Sequence, residues 1–342
     1  MDIKSRIVGS IVGGAVGDAL GYPVEFMRYD EIVDKLGERG IIEYPFSKGY
    51  ISDDTQMTLF TIEGLLKENN AKSFSEELDI YKRNIYDSYL DWYLTQKVPF
   101  SQRKSFENYN NDSLLLNIED MFDLRAPGNT CLSALRSGCM GSIKQPLNNS
   151  KGCGGIMRVA PIGLYFKSSI YDILFMGRLA GEVSAITHGH LLGNMPSSML
   201  AVMLYKICYE EKSLYDSIIE SLSIVEQLYG HSRDYSYLKK IVKKAIVLSK
   251  SVNKDVENIE EIGGGWVAEE TLAIAIYCAL KYENDFEKAL IASVNHSGDS
   301  DSTGAVTGNI MGAILGYDSI PKRYIEKLEM KDLIEEMALK LI

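Results

Sequence analysis

Basic charge is the first thing the chain is short of. Its 36 Lys and Arg stand against 47 Asp and Glu, a net charge of −11. That balance argues against a nucleic-acid surface and against attraction to anionic membranes. It leaves room for an anionic ligand at a site that carries its own metal charge, because a bound ion inverts the local field. Cysteine is scarce as well: five residues, 131, 139, 153, 208 and 278, an odd number with no Cys-x-x-Cys pair. Free thiols in a reducing cytosol are the simple reading, so a cytoplasmic protein is expected. No apolar run reads as long enough to span a membrane. The segment RIVGSIVGGAVGDALG imitates a signal peptide, but glycines and Asp18 break it. Low-complexity linkers and shifts of composition are missing too, so residues 1–342 read as a single domain.

What the chain does have is helical periodicity. Its 342 residues are 46% apolar and 24% charged, enough for a sizeable core. DDTQMTLFTIEGLLKE, SSMLAVMLYKICYEEK, SLYDSIIESLSIVEQLY, DYSYLKKIVKKAIVLSKS, AEETLAIAIYCALKY and DFEKALIASV all place apolar residues at i, i+3, i+4 and i+7. Strand signals are few; GIIEYPF is a short piece that can be extended. The region from about Lys67 to Leu124 is rich in Tyr and Asn and still helical in pattern. A mainly α domain with long functional loops follows.

Two glycine series stand out: Gly9, Gly13, Gly17 and Gly21, then Gly304, Gly308, Gly312 and Gly316. A spacing of four lines each series along one helix face. Glycine inside a helix costs about 0.5–1 kcal/mol relative to alanine. Close approach between helix backbones is the compensation expected, with the two helices crossing in the core against each other. That crossing would bring Asp18 and Glu25 near Asp299 and Asp301.

The carboxylates form two clusters. Ser52-Asp53-Asp54-Thr55 precedes an amphipathic run and reads on its own as a helix N-cap. HSGDSDSTGA, residues 296–305, is harder to explain that way. An EF-hand loop starting at Asp299 needs a bidentate Glu at position twelve, where Ile310 stands. A phosphatase-type Asp-x-Asp-x-Thr also matches Asp299, Asp301 and Thr303, yet its nucleophile normally ends a buried strand. Joined, the two clusters offer hard oxygen ligands suited to Mg²⁺ or Mn²⁺ rather than zinc. Like charges so close need a cation or raised pKa values. Two clusters imply two ions, about 3.5–4 Å apart in sites of this kind.

The motifs GSIVGGAVGDALGYPVEF, SDDTQM, RAPGNTCLSAL, NNSKGCGGIMRVAPIGL, ITHGH, GGGWVAEETLAIAIYCAL and HSGDSDSTGAVTGNIMGAILG run through nearly the whole chain. Together and in this order they resemble the ADP-ribosylglycohydrolase family. The resemblance implies an all-α orthogonal helical bundle with a binuclear Mg²⁺ or Mn²⁺ cleft. It implies Ser52, Asp53, Asp54, Asp299, Asp301 and Ser302 as metal ligands, Ser302 standing where the family often has Thr. Glu25 or Asp54 would be the catalytic carboxylate, acting as base or adjusting the metal-bound water. The reaction implied is hydrolysis of the bond between C1 of the distal ribose of ADP-ribose and a side chain, most readily arginine.

The same resemblance turns Ser150, Lys151, Gly152, Cys153, Gly154 and Gly155 into diphosphate contacts; unaided, this loop reads as a turn needing positive φ. His188 would contact a ribose or a phosphate, while His190 points elsewhere. Trp266, after three glycines, would stack on adenine or a ribose face. The stretch APGNT, residues 126–130, with Gly128 and Asn129, would wall the cleft. The expected partner is an ADP-ribosylated protein or a small ADP-ribosyl conjugate, met by a monomer. Competing readings are a catalytically silent ADP-ribose or metal binder, a hydrolase of serine, nucleic-acid or small-molecule conjugates, and a two-metal phosphohydrolase releasing AMP.

Overall fold

A computed structural model describes residues 2–106, 109–167 and 172–342. Among them there is no strand; two isolated bridges, Gly49 with Leu328 and Gly152 with Val267, are the only β pairings. The helices in chain order are α1 (Ile3–Gly21), α2 (Tyr29–Leu36), α3 (Asp53–Leu66), α4 (Phe74–Thr95), α5 (Asn129–Arg136), α6 (Ala160–Tyr165), α7 (Ile173–Ala185) and α8 (Leu191–Tyr209). They continue with α9 (Leu214–Tyr229), α10 (Arg233–Leu248), α11 (Asp255–Ile262), α12 (Ala268–Lys281), α13 (Phe286–Val294), α14 (Ser300–Leu315), α15 (Lys322–Ile325) and α16 (Lys331–Leu339). Side-chain caps start many of them: Ser52 accepts from the N–H of Asp54, Ser73 from Glu76, Ser213 from Asp216, Ser232 from Tyr235 and Asp285 from Lys288. Each cap satisfies a donor that has no partner inside the helix.

The six periodic stretches all fall on helices. The one that becomes α8 begins earlier than its pattern, because Gly193 and Pro196 interrupt the periodicity inside the helix. In the Tyr- and Asn-rich region only α4 is a long helix; short 3-10 turns at Phe100–Ser105, Leu115–Asn117 and Glu119–Phe122 follow it. GIIEYPF joins no sheet.

The expectation about membrane-length runs is corrected. Residues Ile3–Val24 and Leu191–Tyr209 are both long and apolar enough to cross a bilayer by length and composition. The glycines and the lone Asp18 break the run by eye without lowering its mean hydropathy enough. Within the fold, 89% and 94% of the most apolar 18-residue window of each are buried, so they are core helices here.

α1 and α14 lie antiparallel at the centre, glycine against glycine. A methyl group built on Gly13 would sit 2.5 Å from the Gly308 carbonyl oxygen, and one on Gly17 2.0 Å from that of Gly304. Gly9 faces Gly312 at 2.6 Å in the same way, and Gly21 meets the backbone of Ser300 at 2.2 Å. Asn309 stitches the crossing by donating its side-chain amide to the Ser10 carbonyl (2.8 Å), while the Ser10 hydroxyl donates to the Asn309 carbonyl (2.9 Å). The last glycine of the second series, Gly316, ends α14 at φ +76°, a left-handed conformation suited to glycine. The crossing places the C-terminal end of α1 beside the N-terminal end of α14.

Candidate functional site

That junction gathers the acids. Asp18, one turn from the end of α1, is fully buried, and both its oxygens accept the Ser52 N–H at 3.0 Å. It also accepts the Thr55 N–H at 3.1 Å and a very short bond from the Thr55 hydroxyl. Asp18 is therefore the clamp that fixes the start of α3 against α1. The Asp53 N–H donates to the Arg125 carbonyl (3.0 Å), and its Oδ2 accepts the Gly128 N–H (3.1 Å), which ties in the loop before α5. On the other side, the Asp299 N–H donates to the Gly264 carbonyl at 2.9 Å. The Ser302 N–H is shared between Asp299 Oδ1 (3.2 Å) and Asp301 Oδ1 (2.9 Å). The Cys153 thiol donates to Asp299 Oδ2 at 2.6 Å.

Beside this junction lies a cavity of about 350 Å³. Glu25, Asp53, Asp54, Asp299, Asp301 and Ser302 form its acidic floor, and all are at least nine-tenths buried. Ser52 lies behind the floor: its hydroxyl accepts the Asp54 N–H (3.2 Å) and bonds to Asp301. Burial, and then the charge of Asp301, pushes Glu25 up to about 10 and Asp18 to about 7. Burial also lifts Asp53, Asp54 and Asp299 well above the usual carboxylate range. Without a cation, such a cluster must hold protons.

The donor set is nonetheless the one a hard divalent cation takes: carboxylates and serine oxygens, with no imidazole on the floor. Asp54 Oδ2 and Glu25 Oε2 are buried with no hydrogen-bond partner among the described residues. Among those residues no three His, Cys, Asp or Glu side chains converge closely enough to hold an ion as they stand. Asp53, Asp299 and Asp301 each already accept a hydrogen bond from the protein.

The electrostatics carry a prediction. A carboxyl whose pKa is higher folded than unfolded makes the fold take up protons, so stability is greatest below the unfolded value and declines until the folded value is passed. For Asp18 that window runs from 3.8 to about 7, and for Glu25 from 4.5 to about 10. The cation-free protein is expected to lose melting temperature steadily from pH 5 to pH 9, and Glu25→Gln to flatten that slope. Calorimetry of both proteins in chelator checks it; parallel slopes would remove Glu25 from the cluster.

The remaining expected contacts divide into two groups. Gly128, Asn129, Gly152, Cys153, Gly154, His188 and Trp266 all line the cavity. Ser150, Lys151 and Gly155 do not. The Ser150 hydroxyl accepts the Gly152 N–H (3.3 Å), Lys151 is ion-paired to the buried Glu269, and Gly155 packs where a methyl would lie 2.1 Å from the Ser184 hydroxyl. The Ser150 N–H donates to Asn148 Oδ1 (2.9 Å) and the Cys153 N–H to the Trp266 carbonyl (3.3 Å), so with Gly152 three N–H groups of the expected diphosphate loop are already used. His190 caps α8, accepting the Leu192 N–H at 3.0 Å.

The whole APGNT stretch walls the cavity, Ala126, Pro127 and Thr130 included; the walls the sequence did not indicate are Phe26, Cys131 and Met157. Phe26, 72% exposed, stacks on Trp266 with ring centroids 5.8 Å apart and planes 20° from parallel. Its place beside Glu25 was the one available signal. A larger cavity, about 890 Å³, is lined by α4, α16 and the residues Phe106, Asn110, Asp112 and Leu114. Its buried acids are already satisfied, Glu63 by Ser113 and the Leu115 N–H, Asp91 by Asn110.

Comparison with known proteins agrees with the fold. The chain is 27% identical over 201 residues to ADP-ribosylhydrolase ARH3 of Homo sapiens, covering 53% of this chain and 54% of that one; the match spans about half the length of the human protein. It is 24% identical over 337 residues to ADP-ribosylarginine hydrolase Tri1 of Serratia proteamaculans, covering 96% of this chain and 77% of that one. Among solved structures, one titled an ADP-ribosylglycohydrolase-related protein complex superposes with a TM-score of 0.64 at 21% identity, covering 99% of this chain and 98% of the other. The model of the family described as ADP-ribosylglycohydrolase matches residues 1–342. The chain belongs to the ADP-ribosylglycohydrolase family and is a glycosyl hydrolase.

Proposed function

We propose that this protein is a metal-dependent hydrolase that releases ADP-ribose from ADP-ribosylarginine on a protein. The observation that carries the reading is the convergence of two distant acidic turns, 52–54 and 299–302, in one buried cavity with two carboxylate oxygens left without partners. Ser52, Asp53, Asp54, Asp299, Asp301 and Ser302 would hold two Mg²⁺ or Mn²⁺ ions. Bound there, the ions supply Lewis-acid polarisation of the ribose hydroxyls and of water.

The chain's own groups do the rest. Glu25 Oε2 or Asp54 Oδ2, the unpartnered oxygens, takes the proton of the attacking water. The water oxygen bonds to C1 of the distal ribose as the bond from C1 to the guanidine nitrogen breaks, and a proton passes to that nitrogen. Trp266 and Phe26 form an aromatic wall at the mouth for a flat ring. Gly152 and Gly154, paired with the Trp266 segment, leave no room for a side chain beside His188: a methyl on Gly154 would come within 3.0 Å of both the His188 ring and the Cys131 sulfur. Arginine is favoured as acceptor by the name of the Serratia relative, which matches nearly the whole of this chain. All five cysteines are free thiols, which suits a cytoplasmic setting.

The test is to offer the purified protein arginine-linked and serine-linked ADP-ribosyl peptides with Mg²⁺ and identify the product by mass spectrometry. ADP-ribose is expected from the arginine peptide, none in EDTA, and recovery with Mg²⁺ or Mn²⁺. AMP as product would establish diphosphate cleavage instead. Release from the serine peptide alone would correct the acceptor, and undiminished turnover after metal stripping would sink the cation dependence.

A further inference from the structure

Arg158 is wholly buried, and among the described residues no carboxylate forms an ion pair with it. A guanidinium in that position is expensive unless its surroundings answer it. Its Nη2 donates to the Thr187 hydroxyl oxygen at 2.7 Å and to the Val183 carbonyl at 3.5 Å. Its Nη1 points to the sulfurs of Met57 (3.2 Å) and Cys131 (3.5 Å), and its carbon lies 4.2 Å from the centre of the Tyr89 ring, a cation–π contact. Thr187, also fully buried, is the next link: its Oγ1 lies 2.8 Å from His188 Nδ1. His188 in turn lines the cavity. Its Nε2 faces the Gly152–Gly154 turn, 3.3 Å from where a methyl on Gly152 would stand, and has no protein partner among the described residues.

We infer that Arg158 and Thr187 fix His188 as its Nε2–H tautomer, so that the ring donates a hydrogen bond to an oxygen of the ligand in the cavity. The direction follows from proton counting. Thr187 Oγ1 already accepts from a cation, which polarises its hydroxyl into a better donor, and Nδ1 is the acceptor in line with it. The opposite tautomer would put a proton on Nδ1 facing the guanidinium. It would also send the Thr187 proton to the Cys131 sulfur, which Arg158 Nη1 already faces. Burial and the same guanidinium hold His188 down at about 3, so the ring is neutral near pH 7 and carries a single N–H. A donor also suits the ligand: hydroxyl and phosphate oxygens are the acceptors an ADP-ribosyl group presents. Arg158 and Thr187 are positioning residues in this scheme. They touch no ligand, and they decide whether His188 offers a proton or a lone pair.

The donor role toward the ligand rests on the function proposed above; the tautomer does not. Long-range ¹H–¹⁵N spectra of the full ¹⁵N-labelled chain at pH 7 report ring protonation directly, with His188→Ala identifying the signal among four histidines. Wild type is expected to show a protonated Nε2 and a bare Nδ1. Thr187→Val is expected to mix the tautomers and weaken ADP-ribose binding about tenfold, the scale of one hydrogen bond. Thr187→Ser, which keeps the hydroxyl, is expected to restore both. A protonated Nδ1 in wild type overturns the inference whatever the variants do, and leaves the proposed reaction standing. The stated tautomer in a protein that binds no ADP-ribose by calorimetry overturns the ligand role and counts against the proposed function instead.

Discussion

Asp301→Asn is expected to lower turnover by about 10²–10³-fold or more, the scale of removing one electrostatic group from a transition state. The same change is expected to stabilise the cation-free protein at neutral pH and above. Both follow from where Asp301 sits. It is among the causes that raise Glu25, Asp18, Asp53, Asp54 and Asp299, so it lies at the electrostatic centre of the cluster. Asparagine keeps the shape and still accepts the Ser302 N–H through its oxygen. What it removes is the charge that a cation would neutralise. Wild type should gain melting temperature on adding Mg²⁺, and the variant much less. Steady-state turnover together with calorimetry, with and without Mg²⁺, checks both halves. Full Mg²⁺-dependent activity in Asp301→Asn would refute the ligand assignment, and a simple loss of stability would mean the carboxylate is structural.

The parts of this arrangement that were legible in the sequence are those with a period or a fixed spacing. Glycine every fourth residue in two places could only be compensated by close backbone approach, and the two series do meet, Gly13 on Gly308 and Gly17 on Gly304. The acids at 52–54 and 299–302 were legible because unlike residues of one chemistry stood adjacent. Asp18 was legible only as a neighbour. Its actual work, holding the start of α3 through Ser52 and Thr55, depends on a contact 34 to 37 residues away that no local pattern encodes. The walls were hardest. Phe26 and Met157 reach the cavity from turns whose direction is set by tertiary packing. The glycine turn at 150–155 illustrates the opposite error: its composition fits an anion cradle, but part of its N–H supply is used in pairing with residues 266–268. Arg158 and Thr187 belong to motifs already visible in the chain, yet their link to His188 exists only in three dimensions.

Gly308→Ala separates helix propensity from packing. In an isolated helix the change should gain about 0.5–1 kcal/mol. Here the new methyl would stand 2.0 Å from the Gly13 carbonyl oxygen and 2.5 Å from its carbon, and neither is the end of a flexible side chain. Relief requires α1 and α14 to separate along their length. The expected result is a loss at or above the roughly 3 kcal/mol upper end of ordinary overpacking, read from urea unfolding. Gly128→Ala is the control: φ is −59°, the nearest atoms are Asp53 Oδ2 at 3.9 Å and Cys131 Sγ at 4.0 Å, and stability should change by less than about 0.5 kcal/mol. The seam variant also tests the site from a distance. α1 ends in the Asp18 clamp and the turn carrying Glu25, and α14 begins with Asp299 and Asp301. A wedge two turns away moves these ends apart, so turnover should fall in whatever Gly308→Ala protein remains folded. If the variant were as stable as wild type, the glycine seam would not be what holds the helices together. If it were destabilised but fully active in its folded fraction, the two acidic turns would be positioned by the Asp18 clamp alone, independently of the crossing behind them.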